Sequence, residues 1–79
     1  MSATVLRDGP FWLFFFCREE ERTHVHVAHP DGEAKFWLEP RVELATQTGL
    51  SSAPIRSAQH VVERHIEEVR HAWTRHFGR

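Results

Sequence analysis

The stretch FWLFFFC, from Phe11 to Cys17, constrains this chain more than any other. Seven successive apolar residues are too few to cross a bilayer, which takes roughly 20. Asp8-Gly9-Pro10 before the stretch and REEER after it cut it to the length of a strand. On a strand, Phe11, Leu13, Phe15 and Cys17 point to one face while Trp12, Phe14 and Phe16 point to the other. Both faces are apolar, and one layer of helix covers only one face of a small sheet. The second face then has to be met by a homodimer or another protein, by tight curling of the sheet, or by the N-terminal segment, because soluble monomers seldom leave such a patch open. Trp12, Phe14 and Phe16 are therefore the candidate interface.

The need for cover is sharpened by size. A chain of 79 residues forms one small domain, spanning 1–79. A domain of that size buries only about 60% of its unfolded surface, so small domains often lean on disulfides, a structural metal or a partner. Cys17 is the only cysteine, which rules out an internal bridge and fits a reducing compartment. With no secretory or membrane-spanning pattern, the sequence reads as a soluble cytoplasmic protein. The formal charge of −1 gives no overall drive toward nucleic acid. Residues 51–79 do carry five basic and three acidic side chains, against five and eight in residues 1–50. Nucleic-acid binding is thus open but unsupported by charge.

Residues 1–47 read as a β-meander. ATVLR turns through DGP into FWLFFFC, REEER forms a loop, THVHVAH and EAKFWLE flank PDG, and RVELAT follows Pro40. Residues 51–77 change to a helical period: Ile55, Gln59, Val62, Ile66, Val69, Trp73 and His76 recur at steps of four and three. Ser51 or Ser52 is the candidate cap, with Pro54 tolerated in the first turn. The opposite side holds Arg56, His60, Glu63, Arg64, Glu67 and His71. The expected fold is α+β: a small antiparallel sheet of four to five strands followed by one long C-terminal helix, with a break near His65 as a variant, packed on one face.

His24 and His26 are two apart and share a strand face. Two imidazoles in this geometry suit metal ligation or acid–base work, since histidine titrates near neutral pH. Their surroundings depend on the turn. A type I turn with a left-handed Gly32 bulge sets His26 opposite Phe36 and places both histidines among Ala34, Phe36 and Leu38. A two-residue loop shifts the pairing by one, which gathers Val25, Val27, Phe36 and Leu38 on one face. His24, His26, Lys35, Trp37 and Glu39 then make the other, a candidate binding surface. Turn chemistry favours the first register, and binary patterning the second. Patterning carries more weight, because burying two histidines among apolar groups costs more than an imperfect turn. The plain alternative for that surface is an ordinary solvated strand face.

Under the first register, His65 on the apolar side of the helix would meet His24 and His26 as a three-histidine zinc site, although buried histidines more often hydrogen-bond within a core. No cofactor is otherwise indicated: there is no Gly-rich phosphate loop and no C-x-x-C pair. Cys17 sits in an aromatic strand where a thiol is normally inert, and Glu19-Glu20-Glu21 read as a solvated loop.

The segments THVHV, GEAKFWLEP, VELA and EEVRHAW, with Phe77, make the chain resemble a family of small bacterial proteins, the domain of unknown function family 4160. The family pattern of an H-x-H strand, an E-A element and a late helical tryptophan is matched here by His24 and His26, Glu33 and Ala34, and Trp73. EEERT stands where relatives usually place prolines, and Pro54 replaces an acidic capping-box residue. The resemblance implies no established activity. It implies a genetic neighbour, the domain of unknown function family 2442, in a pair that looks like a toxin–antitoxin module. Two functional expectations follow. One is an interaction protein of such a pair, partnered by the small protein encoded next door or by a second copy. The other is a nuclease-like hydrolase in which His24 and His26 act as acid and base or hold a metal and Lys35 steadies phosphate. A purely structural homodimer is the third.

Overall fold

A computed structural model describes residues 2–16 and 22–78; the expectations for Cys17 and for Glu19 to Glu21 lie outside the described residues. Five strands, β1 (Ser2–Asp8), β2 (Phe11–Phe16), β3 (His24–His29), β4 (Gly32–Trp37) and β5 (Glu43–Thr48), are followed by helices α1 (Ser52–Arg64) and α2 (Ile66–Phe77). The strands form one antiparallel meander in the order β1-β2-β3-β4-β5. β1 to β4 lie close to where the sequence places them, because short runs rich in β-branched and aromatic residues are bounded by Gly and Pro turns, whereas β5 is Glu43–Thr48 and not the expected 41–46.

The register of β3 on β4 follows patterning. His29 pairs with Gly32, His26 with Lys35, Val25 with Phe36 and His24 with Trp37, so the loop is the two residues Pro30 and Asp31. The Asp31 amide donates to His29 Nδ1 at 3.1 Å, which helps hold the turn. This arrangement keeps Val25, Val27, Ala34, Phe36 and Leu38, each 2% exposed or less, in one core with Leu13 and Phe15. Gly32 is not the left-handed bulge that the turn sequence suggests: the left-handed glycines are Gly9, Gly49 and Gly78. Its role is close approach, since a Cβ there would lie 2.0 Å from the Thr48 carbonyl oxygen.

The helical segment is two helices rather than one. His65 interrupts it at φ −108° and ψ 22°. The hydrogen-bond ladder survives the interruption, with the His65 amide donating to the Val61 carbonyl at 3.2 Å and the Val69 amide to the His65 carbonyl at 2.9 Å. What fixes the bend is a contact to the sheet: His65 Nε2 and Arg64 Nη1 each lie 2.9 Å from Asp8 Oδ2, at the end of β1. Glu68 approaches the other imidazole nitrogen at 3.7 Å. Ala58, Val61, Val62, Val69 and Trp73 close the core from the helix side, with Leu50 entering from the loop. Arg56, His60, Glu63, Arg64, Glu67 and His71 are all exposed, as the stripe predicts. No helix among the described residues is long and apolar enough to cross a membrane.

The Asp8 contact gives a first testable consequence. The hydrogen bond from His65, assisted by the charge of Arg64, holds the Asp8 carboxyl below its ordinary value of 3.8. A carboxylate with a lowered folded value stabilises the fold above its unfolded value, and that contribution disappears as pH falls through the folded value. The melting temperature of the wild type is therefore expected to exceed that of Asp8→Asn at pH 6, with the two converging at the acid end below 3.8. A difference that stays constant down that range would show that Asp8 acts through something other than its charge.

Candidate functional site: the helix-free face of the sheet

Strand alternation sends a second set of side chains away from the helices. Across the sheet the central row runs Thr4, Phe14, His26, Lys35 and Thr46, flanked by the row Arg7, Trp12, Ala28, Glu33 and Thr48. Phe16 and Trp37 complete the face, and His24 lies at its end, beside Trp37 but also against Trp73 of α2. Trp12, Phe14 and Phe16 thus share the side opposite the helices. Phe14 is 5% exposed yet stands outside the main core, and Phe16 at its edge is 39% exposed.

The rings on this face form a continuous set. Phe14 touches Trp12 at 5.1 Å and Phe16 at 5.3 Å between centroids, and stacks on the His26 imidazole at 5.4 Å. Phe16 meets His26 edge-on at 4.6 Å, and His26 meets His24 at 5.2 Å. Edge-to-face pairs of this kind contribute about 0.5–1.5 kcal/mol beyond area burial. Cations lie over the two indoles: Arg7 over Trp12 at 4.8 Å, and Arg22 and Lys35 over Trp37 at 4.1 and 4.7 Å. The Trp12 indole N–H donates to Thr4 Oγ1 at 3.0 Å, fixing the ring under Arg7.

The two histidines differ in what they can do. His24 is fully buried. Its Nδ1 lies 2.7 Å from the Arg22 carbonyl oxygen, and a carbonyl only accepts, so Nδ1 carries the hydrogen. Nε2 is shielded from solvent, and the ring sits 5.1 Å from Trp73 and 6.0 Å from Trp37. His24 is thereby a wedge between the layers. His26 is 9% exposed under Phe14 and Phe16, so the pair is not an ordinary solvated strand face.

Of the residues expected together, His24, His26, Lys35 and Trp37 are gathered here and Glu39 is not. Glu39 lies past the end of β4, where alternation lapses, and its carboxylate turns to Arg70 of α2 at 3.4 Å. Arg70 also donates to the Leu38 carbonyl at 3.0 Å, which holds that turn against the helix. His65 does not join His24 and His26, because Asp8 holds it at the end of β1. Among the described residues no three His, Cys, Asp or Glu side chains converge as a metal-binding group. Arg7 and Thr4 were not legible as members of this face. The pairing slips between Thr4 and Leu6, and this bulge puts Thr4 and Arg7 on the same side.

A family model described as Domain of unknown function (DUF4160) matches residues 11–74. The chain belongs to this family. The DUF4160 match begins at the first residue of β2 and runs into α2, so it contains the aromatic strand, the histidine strand and Trp73. No curated protein and no solved structure matches this DUF4160 chain.

Proposed function

We propose that this chain is an interaction protein, one half of a toxin–antitoxin-like pair, and that its partner docks on the helix-free face of the sheet. The observation that carries this reading is the ring set from Trp12 to Phe16 on a face where no helix of the described residues packs. Phe16 is the exposed member of the set, Trp12 is half-buried and Phe14 is buried; aromatics and arginine are the residue types that dominate interface energetics. The chemistry of the partner follows from charge. Among the described residues neither Arg7 nor Arg22 makes an ion pair; both residues are exposed and lie over an indole, and Arg22 Nη2 donates to the Glu39 carbonyl at 3.4 Å. Such corners favour a partner with an apolar centre and carboxylates at its rim. A second copy would bring the same unpaired guanidiniums to the same interface, which argues for a different protein, the small one encoded alongside.

The test is to purify the chain alone and together with that neighbouring protein, and to measure masses in solution. A monomer alone and a defined complex together are expected, with Phe16→Glu weakening the complex by roughly 30-fold or more, as for a hot-spot side chain of about 2 kcal/mol or more. Phe16 is already partly exposed, so this variant is expected to fold. A homodimer that Phe16→Glu splits would overturn the heteromeric reading. Induction of one member alone is expected to slow bacterial growth, and induction of both to restore it.

A further inference from the structure

A second recognition feature lies on the other side of the sheet and does not rest on the reading above. Edge strand β1 and helix α2 enclose an open cleft of about 270 Å³ lined by Ala3, Val5, Phe15, Ala72, Arg75 and His76. Its accessible apolar lining comes from Ala3, Val5 and Ala72, because Phe15 is 1% exposed with the His76 ring stacked against it at 6.0 Å. Its mouth is cationic, for Arg75 is exposed and makes no ion pair among the described residues. β1 pairs only with β2, so its outer edge carries backbone N–H and C=O groups directed away from the sheet. The ladder to β2 slips at Val5, inside the cleft, which bends the edge there and shortens the run a new strand could follow.

We infer that this cleft binds the C-terminus of a peptide, whose last residues pair with the outer edge of β1 around Ala3 to Val5, whose final apolar side chain seats against Val5 and Ala72, and whose carboxylate is held by Arg75. Strand addition supplies affinity through main-chain hydrogen bonds, and a pocket supplies specificity. The bend at Val5 selects a chain end over a continuous strand. The free edge of β1 decides between a peptide and a free small acid, since only a peptide adds main-chain pairing there to the contact with Arg75.

The experiment uses the whole chain, labelled with ¹⁵N, titrated with N-acetylated hexapeptides that end in valine, leucine, isoleucine or phenylalanine as free acids. The same peptides as C-terminal amides, and hexanoate alone, are the comparison probes. Binding with a dissociation constant on the order of 0.1 mM or tighter is expected for at least one free acid, with shifted amides at Ala3 to Val5 and Arg75. Amidation or Arg75→Gln is expected to weaken it by about tenfold or more, the scale of a hydrogen bond to a charged group, and Arg75→Lys to retain part of it. Arg75 is exposed, so the glutamine variant keeps the fold. No binding at about 1 mM, equal binding of acid and amide, or indifference to Arg75→Gln would overturn the inference. Hexanoate binding as tightly as the peptides would overturn the peptide as its source. Shifts confined to Phe14 and Phe16 would overturn the location and leave the helix-free face as the only docking surface.

Discussion

Gly32→Ala is expected to destabilise the protein by about 3 kcal/mol or more, a drop in melting temperature of roughly 12 °C or more for a domain of this size. The added Cβ would lie 2.0 Å from the Thr48 carbonyl oxygen and 3.0 Å from its carbon, both main-chain atoms that cannot swing aside as a side-chain tip would. Relief requires that the β3–β4 turn and the end of β5 move apart. Gly49 closes the same crossing from the other side. It holds φ +80°, and a Cβ there would lie 2.6 Å from the Asp31 carbonyl oxygen. Gly49→Ala is therefore destabilising as well, and the double variant should cost less than the sum, because one separation relieves both clashes. Thermal and urea unfolding of the three variants decides the matter. Melting of Gly32→Ala within 2–3 °C of the wild type, about 0.5 kcal/mol, would mean that the crossing yields easily.

These glycines also show where the sequence is readable and where it is not. PDG marks a turn from sequence alone, but the reason for Gly32 is a strand more than ten residues away, and local turn chemistry assigned it the wrong conformation. The register was legible for a different reason: two apolar alternations, Val25-x-Val27 and Ala34-x-Phe36-x-Leu38, can share one face only if the loop has two residues. The helix break was legible as a location only. Its physical cause, Asp8 reaching Arg64 and His65 across 56 and 57 positions, leaves no periodic signal. Glu39 illustrates the opposite failure, since extrapolating alternation past Trp37 put it on the aromatic face while Arg70 draws it to the helices. Of the three cations over the outer indoles, Lys35 was expected and the two arginines were missed, Arg7 through the bulge at Val5 and Arg22 because it precedes its strand.

Trp73→Ala is expected to remove about 3–5 kcal/mol, the range for deleting a buried indole. Small domains of this length hold little more than that in total. The expected result is loss of a cooperative unfolding transition and of near-ultraviolet dichroism at 25 °C. Trp73 is 2% exposed and touches Phe15 at 5.4 Å, Phe77 at 4.2 Å and His24 at 5.1 Å, so it joins β2, the end of α2 and the first histidine of the H-x-H strand. Its indole N–H has no hydrogen-bond partner among the described residues. Trp73→Phe keeps an aromatic ring and removes that N–H, and is expected to cost much less than the alanine variant. It leaves space beside His24, so the imidazole signals of His24 should shift while those of His29, which rests on Phe11 at the far turn, stay in place. Retention of a cooperative transition within about 1 kcal/mol in Trp73→Ala would sink the view that the two layers are locked through this residue. An unchanged His24 in a folded Trp73→Phe would separate the histidine strand from the core, and reopen acid–base chemistry for His24 that its burial now argues against.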